Sequence, residues 1–197
     1  DRSSAASDVY KRQEYKRTNA PAFLFPLGHP PQVPKSLQKG DLQRQPSLAQ
    51  RVDLLRAQRS VYFFHQPSSE KIDWYQNPFG PGRSDPEAHF SQLLDFHPDQ
   101  GDLRTLWEPS RAGWSIDCAK AVAAGEYDDI GNLNWGWLDS WMNACPPYQG
   151  IHWKCGQESS VRLQALLIGF WAVANDPATK AARFEQIGRL AWATGYR

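Results

Sequence analysis

Residues 157–191 read QESSVRLQALLIGFWAVANDPATKAARFEQIGRLA. Leu163, Leu166, Leu167, Phe170, Trp171 and Ala174 recur at the three- and four-residue spacing of a single helical face, which predicts a helix over 157–174. Asp176 then offers an N-cap and Pro177 a first helical position, with Ala181, Phe184, Ile187 and Ala191 as the apolar face of the next helix. So short a turn makes the pair an antiparallel hairpin. A chain built from such hairpins is all-α.

Working outward, the same spacing predicts a helix over 109–124, with Trp114, Cys118, Ala121 and Val122 on one stripe and Gly125 as its stop. Another is predicted over 127–144, through Ile130, Leu133, Trp137, Trp141 and Ala144, ended by Pro146 and Pro147. Toward the N-terminus, Pro46 and Ser47 open a short helix with Leu48, Val52 and Leu55 on one face. Val61, Tyr62, Phe63 and Phe64 form a β-like run, and the Pro- and Gly-rich stretch 66–87 reads as loop. No repeat of fixed period occurs. There is a rhythm instead: helices of about 15–18 residues with alternately long and short connections. It suits stacked hairpins, as in part of an α/α toroid, and it suits any irregular helical domain.

The 197 residues are enough for one domain with a real core, and 41% hydrophobic with 22% charged residues is the balance of a globular protein. No apolar run approaches the ~20 residues of a membrane span. The net charge is +1, unevenly spread. Residues 1–60 carry 11 Lys and Arg against 5 Asp and Glu, leaving 11 against 16 in 61–197. The basic arm reads either as a solvated, extended leader or as a polyanion-binding segment. The acidic body argues against nucleic acid as a partner. Three units follow: an adapter-like, non-native leader over 1–13, a basic linker with a short helix over 14–60, and a helical domain over 61–197. The stop at Arg197 reads as truncation. Cys118, Cys145 and Cys155 show no C-x-x-C, so a zinc site is not expected; packed thiols or a Cys145–Cys155 bridge both fit.

Nine Trp lie between Trp74 and Trp192. Trp114, Trp137, Trp141 and Trp171 fall on apolar stripes and read as core. Trp107 and Trp153 sit beside charged residues at helix entries, where an indole can face a sugar ring or fill the core. Residues 102–111, DLRTLWEPSR, place Arg104 and Arg111 about Glu108. They form an ion pair at a helix start or a planar fork for a substrate carboxylate. Residues 150–162, GIHWKCGQESSVR, bring an aromatic, three cation-capable groups and a carboxylate to the point where a turn feeds a helix. That mixture suits an acidic sugar polymer. Glu158 and Arg162 also have the spacing of an ordinary surface ion pair, and His152 fits a structural histidine. No Ser-His-Asp order, phosphate loop or metal motif occurs.

The run 150–162 resembles the G-x-N-W-x-x-x-x-E-x-x-x-R stretch of the heparinase II/III family of polysaccharide lyases, with His152 where the family often has Asn. Residues 102–111 are similar to the family's D-x-R-x-x-W-E-x-x-R, and 72–78, IDWYQNP, resemble its segment before the toroid. The three occur in family order across residues 40–197. The resemblance implies an α/α toroid followed by a β-sandwich domain, and a periplasmic or secreted enzyme without a cofactor. It implies cleavage of uronic-acid polysaccharides such as heparin, heparan sulfate or alginate by β-elimination. The uronate carboxylate is neutralised, a Tyr or His removes the C5 proton, and an acid protonates the leaving oxygen. The family's catalytic groups would fall beyond Arg197. The matching positions here are Arg104, Trp107, Glu108, Arg111, His152, Trp153, Lys154, Glu158 and Arg162, as substrate contacts or supports of the groove.

Two other classes use the same residues. A non-catalytic helical domain binding acidic glycans needs only the aromatic and basic groups. An α/α-toroid glycoside hydrolase needs two carboxylates across the scissile bond, for which Glu108, Asp139 and Glu158 are available.

Overall fold

The computed structural model describes residues 46–63, 65–95, 98–125 and 127–196. The leader over 1–13 and the basic extended stretch up to 45 lie outside the described residues. Residues 44–197 form one compact unit. The short helix over 48–56 lies within this unit.

Over the described residues the fold is all-α with one two-stranded ribbon. Helix α1 (Leu48–Arg56) opens with a capping box: Ser47 Oγ accepts the Gln50 N–H at 3.3 Å, and Gln50 Oε1 accepts the Ser47 N–H at 2.8 Å. Its Val52 and Leu55 are buried. Strands β1 (Val61–Tyr62) and β2 (Gln66–Pro67) pair antiparallel, Val61 opposite Pro67 and Tyr62 opposite Gln66.

Asp102 caps α2 (Leu103–Trp107), which runs into a 3-10 turn, Glu108–Arg111. Ala112 then adopts a left-handed conformation (φ 57°) before α3 (Gly113–Ala124) begins. The helix expected from residue 109 is thus broken at 112. Pro109 lacks an N–H and belongs to the turn, and Gly125 (φ 69°) ends α3 as its conformational freedom allows. Helix α4 (Ile130–Ala144) begins after Asp129, whose carboxylate does not cap it. Both Asp129 oxygens are held by Arg56 of α1, at 2.9 and 2.7 Å.

Helix α5 (Gly156–Val173) packs on α6 (Ala181–Gly195), the hairpin expected from the opening stretch. Its turn differs from the expectation. Asp176 Oδ1 accepts the Ala178 N–H at 2.8 Å and its carbonyl accepts the Thr179 N–H at 2.8 Å, so Asp176 and Pro177 build the turn. Helix α6 starts only after Lys180.

Helix α3 lies against α1, α4 and α5 and is the axis of the core. Trp114, Trp135, Trp137, Trp141 and Trp153 are buried there. Their indole N–H groups are mostly satisfied, as burial requires: Trp137 donates to Leu55 O, Trp141 to Ser110 Oγ and Trp153 to Cys145 O. Trp153, left open between core and surface, is fully buried. One Trp assignment reverses: Trp171, expected in the core, is 83% exposed on the outer side of α5. Leu167, Ile168 and Phe184 are exposed with it.

Candidate functional site

The 3-10 turn after α2 aims Arg111 at the first turn of α5. Its guanidinium donates to both oxygens of Glu158, at 2.6 and 2.7 Å, and to Glu108 Oε2 at 2.6 Å. Two carboxylates thus share one fork, and Glu158 also faces the positive end of the α5 dipole. The hydrogen bonds that Arg111 donates to Glu158 raise its pKa beyond its already high value, against the cost of burial. The second oxygen of Glu108 accepts the Phe63 N–H at 2.7 Å, tying the β-ribbon to the cluster.

One layer deeper lies Arg162, almost fully buried. It donates to His152 O at 2.8 Å and to Ser159 Oγ at 3.1 Å. Its guanidinium stands 4.6 Å from the Trp141 ring centroid and 5.4 Å from that of Trp153. Among the described residues no carboxylate forms an ion pair with it; the indole faces and the carbonyl dipole stabilise the charge. Burial pulls its pKa down to about 10.

His152 is fully buried, its Nε2 facing Trp74 O at 2.5 Å and its ring 5.1 Å from Tyr75. A carbonyl accepts only, so Nε2 carries the proton, and among the described residues Nδ1 has no hydrogen-bond partner. Burial, then the charge of Arg162, lowers the His152 pKa to about 3. Tyr75 donates to Ala144 O at 3.0 Å and burial raises its pKa. Trp107 donates to Ile151 O at 2.9 Å.

Seven of the nine expected residues belong to this two-layer cluster: Trp107, Glu108, Arg111, His152, Trp153, Glu158 and Arg162. Arg104 is elsewhere, exposed and forked onto Asp102. Lys154 turns away to Leu93 O at 2.6 Å and Asp95 at 3.0 Å. His152, Trp153 and Arg162 are sealed from solvent, so of the two places expected for them direct contact with a polymer is excluded. The Glu158–Arg162 ion pair expected from spacing does not form, because Glu158 is taken by Arg111. The motif stretches 72–78, 102–111 and 150–162 meet here: Trp74 and Tyr75 on His152, Trp107 on Ile151, and Arg111 on Glu158. Sequence reading quoted Tyr75 only within 72–78 and Phe63 only within a β-like run, and named neither as a candidate site residue.

The three carboxylates available to a hydrolase are all engaged by arginine. Glu108 and Glu158 share Arg111. Asp139 is gripped by Arg183 at 2.5 Å and Gln186 at 2.9 Å, and the Arg183 hydrogen bonds hold its pKa below the usual carboxylate range. Cys118, Cys145 and Cys155 are free thiols. Among the described residues no group of three or more His, Cys, Asp or Glu could hold a metal, and no helix is long and apolar enough to cross a membrane. Comparison with family models, characterised proteins and solved structures returns no match.

Proposed function

We propose that this chain is the N-terminal helical part of a polysaccharide lyase acting on uronic-acid polymers of the heparin, heparan sulfate or alginate kind. In this reading the helices begin an α/α toroid. One observation carries it: three stretches that resemble the family's motifs, far apart in the chain, converge on one network of interlocking hydrogen bonds. Residues that hold one another in place across such distances are what a family motif set of structural origin looks like.

The network supports the groove and does no chemistry. Arg111 is its solvent-reaching member, 31% exposed at the side chain, and its charge is taken up by Glu108 and Glu158. Buried Arg162, His152 and Trp153 fix the backbone of 150–158 beneath it. Neutralisation, proton abstraction and protonation of the leaving oxygen fall to residues outside this chain.

The test is to sequence the source DNA past the codon for Arg197. The reading expects a continuing frame with an Asn- or His-bearing helix and then a β-rich domain carrying Tyr and His. A frame that closes without them would remove the lyase and leave a glycan-binding module as the better account.

A further inference from the structure

A second feature lies on the far side of Glu108 from Arg111. Phe63, directly after β1, has φ 45°, a left-handed conformation that is strained for a bulky side chain. It is held there by the Glu108 carboxylate on its N–H and by stacking of its ring on Phe79, centroids 5.4 Å apart and planes at 30°. Tyr62 meets Phe79 edge-on at 5.7 Å. Phe79 is nevertheless 44% exposed. Backbone strain that the surroundings enforce, ending in an exposed aromatic, marks a position kept for something other than stability.

Beside this aromatic group opens a cleft of about 470 Å³, lined by Tyr62, Ser69, Glu70, Lys71, Asn77 and their neighbours. That volume lies within the ~300–1,000 Å³ range of small-molecule sites. Among the described residues, the Ser69, Glu70 and Lys71 side chains are engaged in no hydrogen bond or ion pair. Asp73, also on the wall, is neutralised by Arg83. The wall therefore offers hydroxyl, amide, ammonium and carboxylate groups with no net charge.

We infer that this cleft, with Phe79 at its edge, binds an uncharged sugar unit. Phe79 stands between the lining residues Pro78 and Gly80 and edge-on to Tyr62, and an apolar ring beside hydroxyl, amide, ammonium and carboxylate groups matches a pyranose, which has C–H faces and a rim of hydroxyls. Lys71 is balanced by Glu70 and Asp73 by Arg83, so the wall holds no surplus cation to offset the desolvation of a sulfate or uronate. In an alternating copolymer the cleft takes the neutral hexosamine or hexose, leaving the acidic unit to cationic groups elsewhere. The inference goes beyond the lyase reading and does not need it, since binding to this chain is measured whatever the reading frame encodes.

The experiment is calorimetric titration of the full chain with tetra-N-acetylchitotetraose, cellotetraose and a mannuronate tetrasaccharide. At least one neutral tetrasaccharide should bind, with affinity falling at least tenfold in Phe79→Ala and lost in Ser69→Trp, which fills the cleft from an exposed position. Circular dichroism checks that both variants keep their helices. The inference is overturned if neither neutral sugar binds, if binding survives unchanged in both variants, or if the mannuronate tetrasaccharide binds more tightly than both.

Discussion

The buried ring of His152 links the candidate site to acid stability. Its pKa is about 3 in the folded chain against about 6.5 unfolded, so the unfolded state takes up the proton first as pH falls. The contribution is fully present above pH ~6.5 and fades toward pH ~3, by up to about 1.4 kcal/mol per pH unit. Asn keeps an N–H for Trp74 O but does not titrate. Urea unfolding of His152→Asn should therefore show a shallower loss of stability between about pH 6.5 and 4.5 than the parent; parallel curves would contradict the buried neutral imidazole. Arg111→Met should cost on the order of 2 kcal/mol in the same assay, because it leaves two mostly covered carboxylates facing each other. A change under about 0.5 kcal/mol would mean that the fork holds nothing. The residue types at this site were legible in the sequence, but not their partners. An i, i+4 Glu–Arg spacing fits a surface pair and a buried arginine equally well. Only tertiary packing, which brings Trp141 and Arg111 to α5, decides between them.

At the level of elements, the contact between α3 and α5 depends on Gly169, where a Cβ would overlap Ser115 Oγ. Helix propensity alone favours Gly169→Ala by about 1 kcal/mol. The overlap outweighs it, and the variant should lose about 1–3 kcal/mol on thermal or chemical unfolding. Gly136→Ala in α4 is the control: nothing lies within 4 Å of the added methyl, so the stability should rise by about 0.5–1 kcal/mol. Equal effects at the two positions would contradict the close approach of these helices. Helix existence and the α5–α6 hairpin followed from apolar periodicity, which reports the buried stripe directly. The break at Ala112 and the late start of α6 did not. Both are set by where the chain must turn, and an alanine at φ 57° carries no signature in its own name.

Across the whole molecule, α5 keeps one face packed and leaves the other apolar and bare. Trp171 at 83% and Ile168 at 53% exposure are the clearest cases, and Trp192 of α6 is 64% exposed. Sequence periodicity could not separate the two faces, because α5 is apolar all round from Ala165 to Val173. Trp171→Gln should leave unfolding stability within about 0.5 kcal/mol while lowering the binding of a hydrophobic dye. A loss of several kcal/mol would place Trp171 in the core after all. Larger still is the claim that this body belongs to an enzyme of β-elimination. The most direct measurement is to express the longest reading frame containing the chain and follow the ultraviolet absorbance of unsaturated uronate ends with heparin, heparan sulfate and alginate. The account predicts a steady rise with at least one of them. No rise with any of the three, from a folded protein carrying the downstream domain, would contradict it.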